Sequence, residues 1–127
     1  MEESRFRFLN YRISKIETSI SEDFGNESEN LKQSINVDHE ICENEPRKVK
    51  VILHISITAD SEKLKFSTDV IGYFEAHEEM SDELFEKLCN INAPAVLLPY
   101  ARSIVTNFTA LCNIKPIILP LINLTKR

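Results

Sequence analysis

From Val49 onward every second residue is apolar. Val49, Val51, Leu53, Ile55 and Ile57 hold the odd positions, while Lys48, Lys50, His54, Ser56 and Thr58 hold most of the even ones. A period of two predicts a strand with one face turned to a core, because successive side chains leave opposite faces of an extended chain. The alternation returns with Leu64, Phe66, Val70, Phe74 and Ala76, and earlier with Ile35, Val37, His39 and Ile41 set against Asn36, Asp38 and Glu40. The short polar stretch 59–63 suits a hairpin, and Glu45, Pro46 and Arg47 are expected to turn the chain before the third strand. The first strand is less regular. Phe6 and Phe8 share one phase, Tyr11 and Ile13 the other, and Ile16, Thr18 and Ile20 return to the first. Each change of phase requires an extra residue, which predicts one bulge near Leu9–Asn10 and another near Lys15. A polar loop follows at 21–30.

Beyond residue 77 the period lengthens. Ser81 is the expected N-cap of a short helix over 82–90, with Asp82 and Glu83 where negative charge suits the helix dipole. Asn92 is expected to cap a second helix that carries Pro94 in its first turn and is bent at its entry by Pro99. Leu97, Tyr100, Ala101, Ile104, Phe108 and Leu111 then recur at steps of three and four, with Val105 and Cys112 widening the stripe. In 114–124, seven of eleven residues are Ile or Leu, interrupted by Pro116 and Pro120. Prolines at that spacing exclude a regular helix and a central strand, so the segment is expected to be extended, irregular and laid against the body.

These elements predict one α+β domain over 1–127. It has four antiparallel strands over about 4–77 in a meander sheet, then helices over about 81–112 packed on one face, then the apolar, proline-punctuated segment 113–127. One sheet face is narrower than the helical stripe. The surplus predicts a second subunit, with Leu97, Tyr100, Ala101, Ile104, Phe108 and Leu111 as core and oligomer interface. Arg102 borders the stripe and is expected either to meet a carboxylate across that interface or to stay in solvent.

Composition removes several function classes. The 15 Lys and Arg residues stand against 20 Asp and Glu, for a net charge of -5, whereas nucleic-acid binding runs on a surplus of positive charge. Eight acids against one lysine between Glu22 and Glu45 form an acidic run that reads first as a solvated face. The three cysteines are odd in number and widely spaced, which favours a reducing, cytoplasmic setting over a disulfide framework. The first residues do not read as a secretory signal, and no apolar run is long enough to insert into a membrane. His39 and Cys42 fall on alternate faces of a strand, and His54 and His77 stand alone, so no metal site is expected. No phosphate loop or nucleophile motif is present, so neither an enzyme nor a cofactor is expected.

Residues 93–123, APAVLLPYARSIVTNFTALCNIKPIILPLIN, resemble the SecB-like protein-export chaperones. Pro94, Leu97, Pro99, Tyr100, Ala101 and Arg102 fit the motif that opens that family's long helix. Pro116, Leu119, Pro120 and Asn123 fit its later Pro-x-x-Asn stretch, and 70–76 suits its last strand. The resemblance implies an α+β protomer that assembles as a homotetramer, a dimer of dimers with helices inside and sheets outside. It also implies an ATP-independent holdase that keeps unfolded polypeptides in apolar grooves without a cofactor. Export members hand clients to the secretion ATPase motor, and others protect an antitoxin of a toxin–antitoxin system. On this resemblance the client-binding residues are Tyr73, Phe74, Ile114, Ile117, Ile118, Leu119, Leu121 and Ile122. Asp38 and Glu40, on the polar phase of the second strand, would receive a basic motor tail. Export members continue past the Pro-x-x-Asn motif with a second helix and a tail, whereas this sequence stops at Arg127. A dedicated antitoxin chaperone and a structural adaptor subunit are the alternatives.

Overall fold

The computed structural model describes residues 5–25 and 29–119. Four strands, β1 (Phe6–Ile20), β2 (Leu31–Cys42), β3 (Glu45–Ala59) and β4 (Leu64–Ala76), precede a helical arm. All pairings are antiparallel, and the order across the sheet is β1-β4-β3-β2. The expected class, an antiparallel sheet followed by one long helix, is what forms. The meander needs correction at one end: β2, β3 and β4 are consecutive neighbours, but β1 pairs with β4, from Phe6 opposite Ala76 to Ile20 opposite Leu64. The chain therefore crosses from one edge of the sheet to the other through 21–30. The β2–β3 turn also comes one step early, at Glu43 and Asn44, leaving Pro46 near the start of β3.

Both bulges fall where the change of phase predicts them, with register shifts between Phe8 and Asn10 and between Ile13 and Lys15. Their effect is to return Phe6, Phe8, Tyr11, Ile13, Ile16 and Ile20 to a single face, because each extra residue restores the pleat. Thr68, on β4, is buried beside the second bulge and donates its hydroxyl to the Lys15 carbonyl at 2.7 Å, occupying a group that the irregular ladder leaves over.

Ser81 caps α1 (Asp82–Lys87), its hydroxyl accepting from the Leu84 N–H at 3.2 Å. The second helix starts just after Asn92 with Pro94 in its first turn, as expected, but Asn92 does not cap it. A π-helical turn, Leu88–Asn92, joins α1 directly to α2 (Ala93–Leu111); Asn92 has helical dihedrals and makes no side-chain cap bond. Pro94 supplies a physical reason. Its ring crowds the carbonyl four residues earlier and it brings no N–H, so a widened turn just before it fits better than an α turn.

The core lies between the inner sheet face and α2. Val51, Leu53, Ile57, Val70, Leu97, Ala101 and Val105 are completely buried. Gly72 lets the two layers approach. A Cβ at that position would sit 2.6 Å from Leu97 Cδ2 and 2.7 Å from Phe74 Cε1. After α2 the chain reverses at Asn113, whose φ of 61° places it in the left-handed region usual just past a helix. The segment through Leu119 then runs back along α2 without regular structure, as its prolines predict.

An apolar groove and an uncovered strip

The segment after α2 presents its side chains alternately. Ile117 and Leu119 are buried, whereas Ile118 is 69% exposed. Ile114, Pro116, Ile117 and Ile118 wall a pocket of about 270 Å³ whose other side is Phe24, Leu31, Gln33 and Leu64. Phe24, Gly25 and Glu29 stand at the rim, and their surroundings are fastened at two points. Asp23 pairs with Lys63 at 2.8 Å, and Glu29 accepts from the Ser61 N–H at 2.6 Å. The Lys63 ammonium and the Ser21 hydroxyl hold the Asp23 carboxyl down to about 2. A depressed carboxylate of this kind contributes fully above its ordinary value near 3.8 and is lost only as pH falls through about 2, so the rim stays fastened throughout the neutral range.

Four of the expected client residues meet at or beside this groove: Ile114, Ile117 and Ile118 line it, and Leu119 follows them. Leu119 is core rather than wall, with no exposed surface. Tyr73 and Phe74 do not join the groove, which meets β4 ten residues away from Phe74, at Leu64. Tyr73 lies on the outer face, and Phe74 is buried with Phe6 and Phe8 against it, ring centroids 5.2 and 5.3 Å away. Leu121 and Ile122 lie outside the described residues. Phe24, Leu31 and Leu64 were not assigned to a groove from the sequence, although a lone phenylalanine in an otherwise polar loop is a signal.

The helical stripe divides in the same manner. Leu97 and Ala101 are fully buried within the protomer, so as interface residues they are corrected to core. Ile104 is half-buried, and Phe108 is half-buried against Phe66 at 5.7 Å. Tyr100 and Leu111 are exposed. Tyr100 joins a larger uncovered strip with Val96 and with Leu9, Tyr11, Ile13 and Ile16 of β1, each between 37% and 44% exposed. The Tyr11 and Tyr100 rings, 4.4 Å apart, connect its two halves. The β1 members were missed because their alternation predicts burial and carries no information on how far α2 reaches.

A further recess of about 510 Å³ lies at the β2 edge between His39, Ile41, Arg47, Phe85, Glu86 and Cys89. Burial, and after it the nearby Glu86 carboxylate, pushes the Cys89 thiol up to about 11, so at neutral pH it stays a protonated thiol. In the native protein iodoacetamide is expected to modify the exposed Cys42 first and leave Cys89 untouched until denaturant is added, which peptide mass spectrometry will read.

A family model described as preprotein translocase subunit SecB matches residues 14–126. The chain belongs to the SecB family. An uncharacterized protein of Methanocaldococcus jannaschii is 36% identical over 123 residues, 92% of this chain and 78% of that one. The fold is shared with a SecB-like chaperone of Mycobacterium tuberculosis solved in complex with a ChAD peptide from the HigA1 antitoxin. That likeness has a TM-score of 0.78 at 11% identity and covers 94% of this chain and 89% of the other.

In this SecB-family protein the outer sheet face is not an acidic surface. Alternation from the paired registers places Arg7, Arg12, Lys15, Lys32, Lys48, Lys50 and Lys65 on it against Glu17, Asp38, Glu40, Asp69 and Glu75. The two acids singled out from the sequence are already engaged. Asp38 meets His54 Nε2 at 3.2 Å, and Glu40 meets Lys50 at 3.2 Å. His54 Nδ1 lies 2.8 Å from Asp69, so the imidazole spans β2 to β4. Arg102 is half-buried rather than left in solvent, and its Nε donates to the Leu119 carbonyl at 3.2 Å. Among the described residues no helix is long and apolar enough to cross a membrane.

Proposed function

We propose that this protein is an ATP-independent holdase that keeps extended apolar segments of non-native polypeptides from aggregating. The observation that carries the reading is the open groove between the 21–33 region and 114–118, walled by Phe24, Leu31, Leu64, Ile114, Ile117 and Ile118. Aliphatic walls impose little shape on a client, and a wall stiffened by Pro116 loses little freedom when it binds one. The test is light scattering of two unrelated denatured proteins with a molar excess of the chaperone and no nucleotide. Suppression of both supports the general form, and suppression of neither ends it.

A second reading, a dedicated antitoxin chaperone, is favoured by the antitoxin peptide held by the mycobacterial relative of the same fold. It predicts protection of a single defined partner. A docking role for the secretion motor's basic tail has less support, because Glu40 already pairs with Lys50, Asp38 lies against His54, and the outer face carries more positive than negative groups.

The same reading assigns the strip of Leu9, Tyr11, Ile13, Ile16, Val96 and Tyr100 to contact between copies of the chain, in a cytoplasmic dimer of dimers. An introduced charge there has no counterpart in the fold of one protomer. Ile13→Glu combined with Tyr100→Glu is therefore expected to lower the sedimentation coefficient to that of a smaller species with an unchanged circular dichroism spectrum. An assembly that survives both charges would remove the strip from the interface.

A further inference from the structure

The extended segment after α2 is held by a ladder of side chains on one helical face. Arg102 Nε donates to the Leu119 carbonyl at 3.2 Å, and Thr106 Oγ1 donates to the Ile117 carbonyl at 2.8 Å. Thr109 Oγ1 accepts from the Ile117 N–H at 2.9 Å while donating to its own helix at Val105, 2.7 Å away. Positions 102, 106 and 109 are four and three apart, the spacing of neighbours on a helix surface. All three contacts end on main-chain atoms, and none of them reads a side chain. Ile117 and Leu119 meanwhile enter the same buried cluster as Val105 and Phe66. A trough that grips peptide main chain and takes in alternate apolar side chains has the chemistry of a sequence-tolerant peptide site, and here its occupant is covalently attached.

We propose that residues 114–119 are a resident pseudo-ligand, displaced by an extended client segment that carries apolar residues two positions apart and takes over the main-chain ladder. This rests on the holdase reading. The exchange is close to balanced, because a client restores the apolar contacts and hydrogen bonds that the resident strand gives up. The groove of Phe24, Leu31 and Leu64 opens directly onto the resident strand, so a client seated there already touches Ile117 and Ile118. Asn113, at the end of α2, is placed to act as the pivot, since a residue just past an element absorbs a change of dihedral angle without unwinding it. The resident is tethered within two residues of the helix end and competes at high effective concentration. It therefore lowers client affinity by the fraction of molecules in which the trough is open, which favours release.

Two measurements test this, with a reduced, carboxymethylated and permanently unfolded protein as the client. In the wild-type chaperone at client saturation, amides of 114–119 are expected to exchange with deuterium faster while those of β3 do not. In fluorescence titration, Ile117→Ala weakens the resident and leaves the ladder intact, so it is expected to bind the client about tenfold tighter. Thr106→Val removes one bond from resident and client alike and should change affinity by less than about threefold. Unchanged or slower exchange at 114–119 overturns the proposal, as does weaker binding by a folded Ile117→Ala. Either result with client binding intact leaves the holdase reading standing, whereas absence of any client binding removes both. The exchange experiment needs no variant and decides the matter if Ile117→Ala fails to fold.

Discussion

Leu119→Ala is expected to lower the free energy of unfolding by about 2–5 kcal/mol, and Ile118→Ala by less than about 0.5 kcal/mol. The two residues are adjacent and isomeric, and the family resemblance places both in one client-binding wall. The fold separates them. Leu119 has no exposed surface, while Ile118 is 69% exposed. Truncating Leu119 leaves a cavity in a packed cluster, and truncating Ile118 removes surface that was already wet. Urea denaturation of both variants, with matched slopes, measures the difference. A larger loss at Ile118 than at Leu119 would mean that the two faces of the segment have been exchanged.

Gly72→Ala is expected to cost about 1–3 kcal/mol, although alanine suits a strand better than glycine does. The added methyl would meet Leu97 Cδ2 at 2.6 Å and Phe74 Cε1 at 2.7 Å, inside any normal carbon contact. Both neighbours belong to the buried cluster, so neither moves without disturbing others. Leu97→Ala removes two of the three closest atoms. The double variant should therefore be more stable than the sum of the single losses implies, by at least about 1 kcal/mol. Simple additivity in that cycle would show that α2 does not depend on the missing side chain.

The parts of this architecture that were legible in the sequence are those in which the physical cause is local. Alternation marks β2, β3 and β4 because a pleat is a two-residue property, and the phase changes around Leu9 and Lys15 mark bulges for the same reason. Ser81 is legible as a cap because its partner, the Leu84 N–H, is three residues away. The position of β1 is not, since pairing Phe6 with Ala76 spans most of the sheet region and has no local signature. The length of the 21–30 loop was the available clue. A tight turn would force β1 and β2 together, whereas ten residues easily cross the roughly 15 Å between the two edges. The stripe on α2 gave its period correctly and its partners incompletely. A helix repeats every three to four residues whether its neighbour is a sheet or another subunit, so Leu97 and Tyr100 looked alike. Arg102, Thr106 and Thr109 were opaque for a different reason. Their partners are main-chain atoms of Ile117 and Leu119, and a peptide group leaves no mark in a string of residue types.

The doubled irregularity of β1 makes the count of residues in that strand matter more than their identity. Tyr11 and Ile13 lie between Leu9 and Ser14, the two supernumerary positions, and they face the same way as Phe8 and Ile16 because those two residues are set out of the ladder. Exchanging one aliphatic residue for another in this stretch leaves that arrangement alone. Deleting Arg12, a paired residue, is a different kind of change. It would set Tyr11 and Ile13 side by side and oblige one of them to turn outward among Lys15 and Glu17, whereas deleting Ser14 would leave Ile13 and Ile16 on one face and only straighten the strand, so β1 should drift readily in composition while resisting loss at its paired positions.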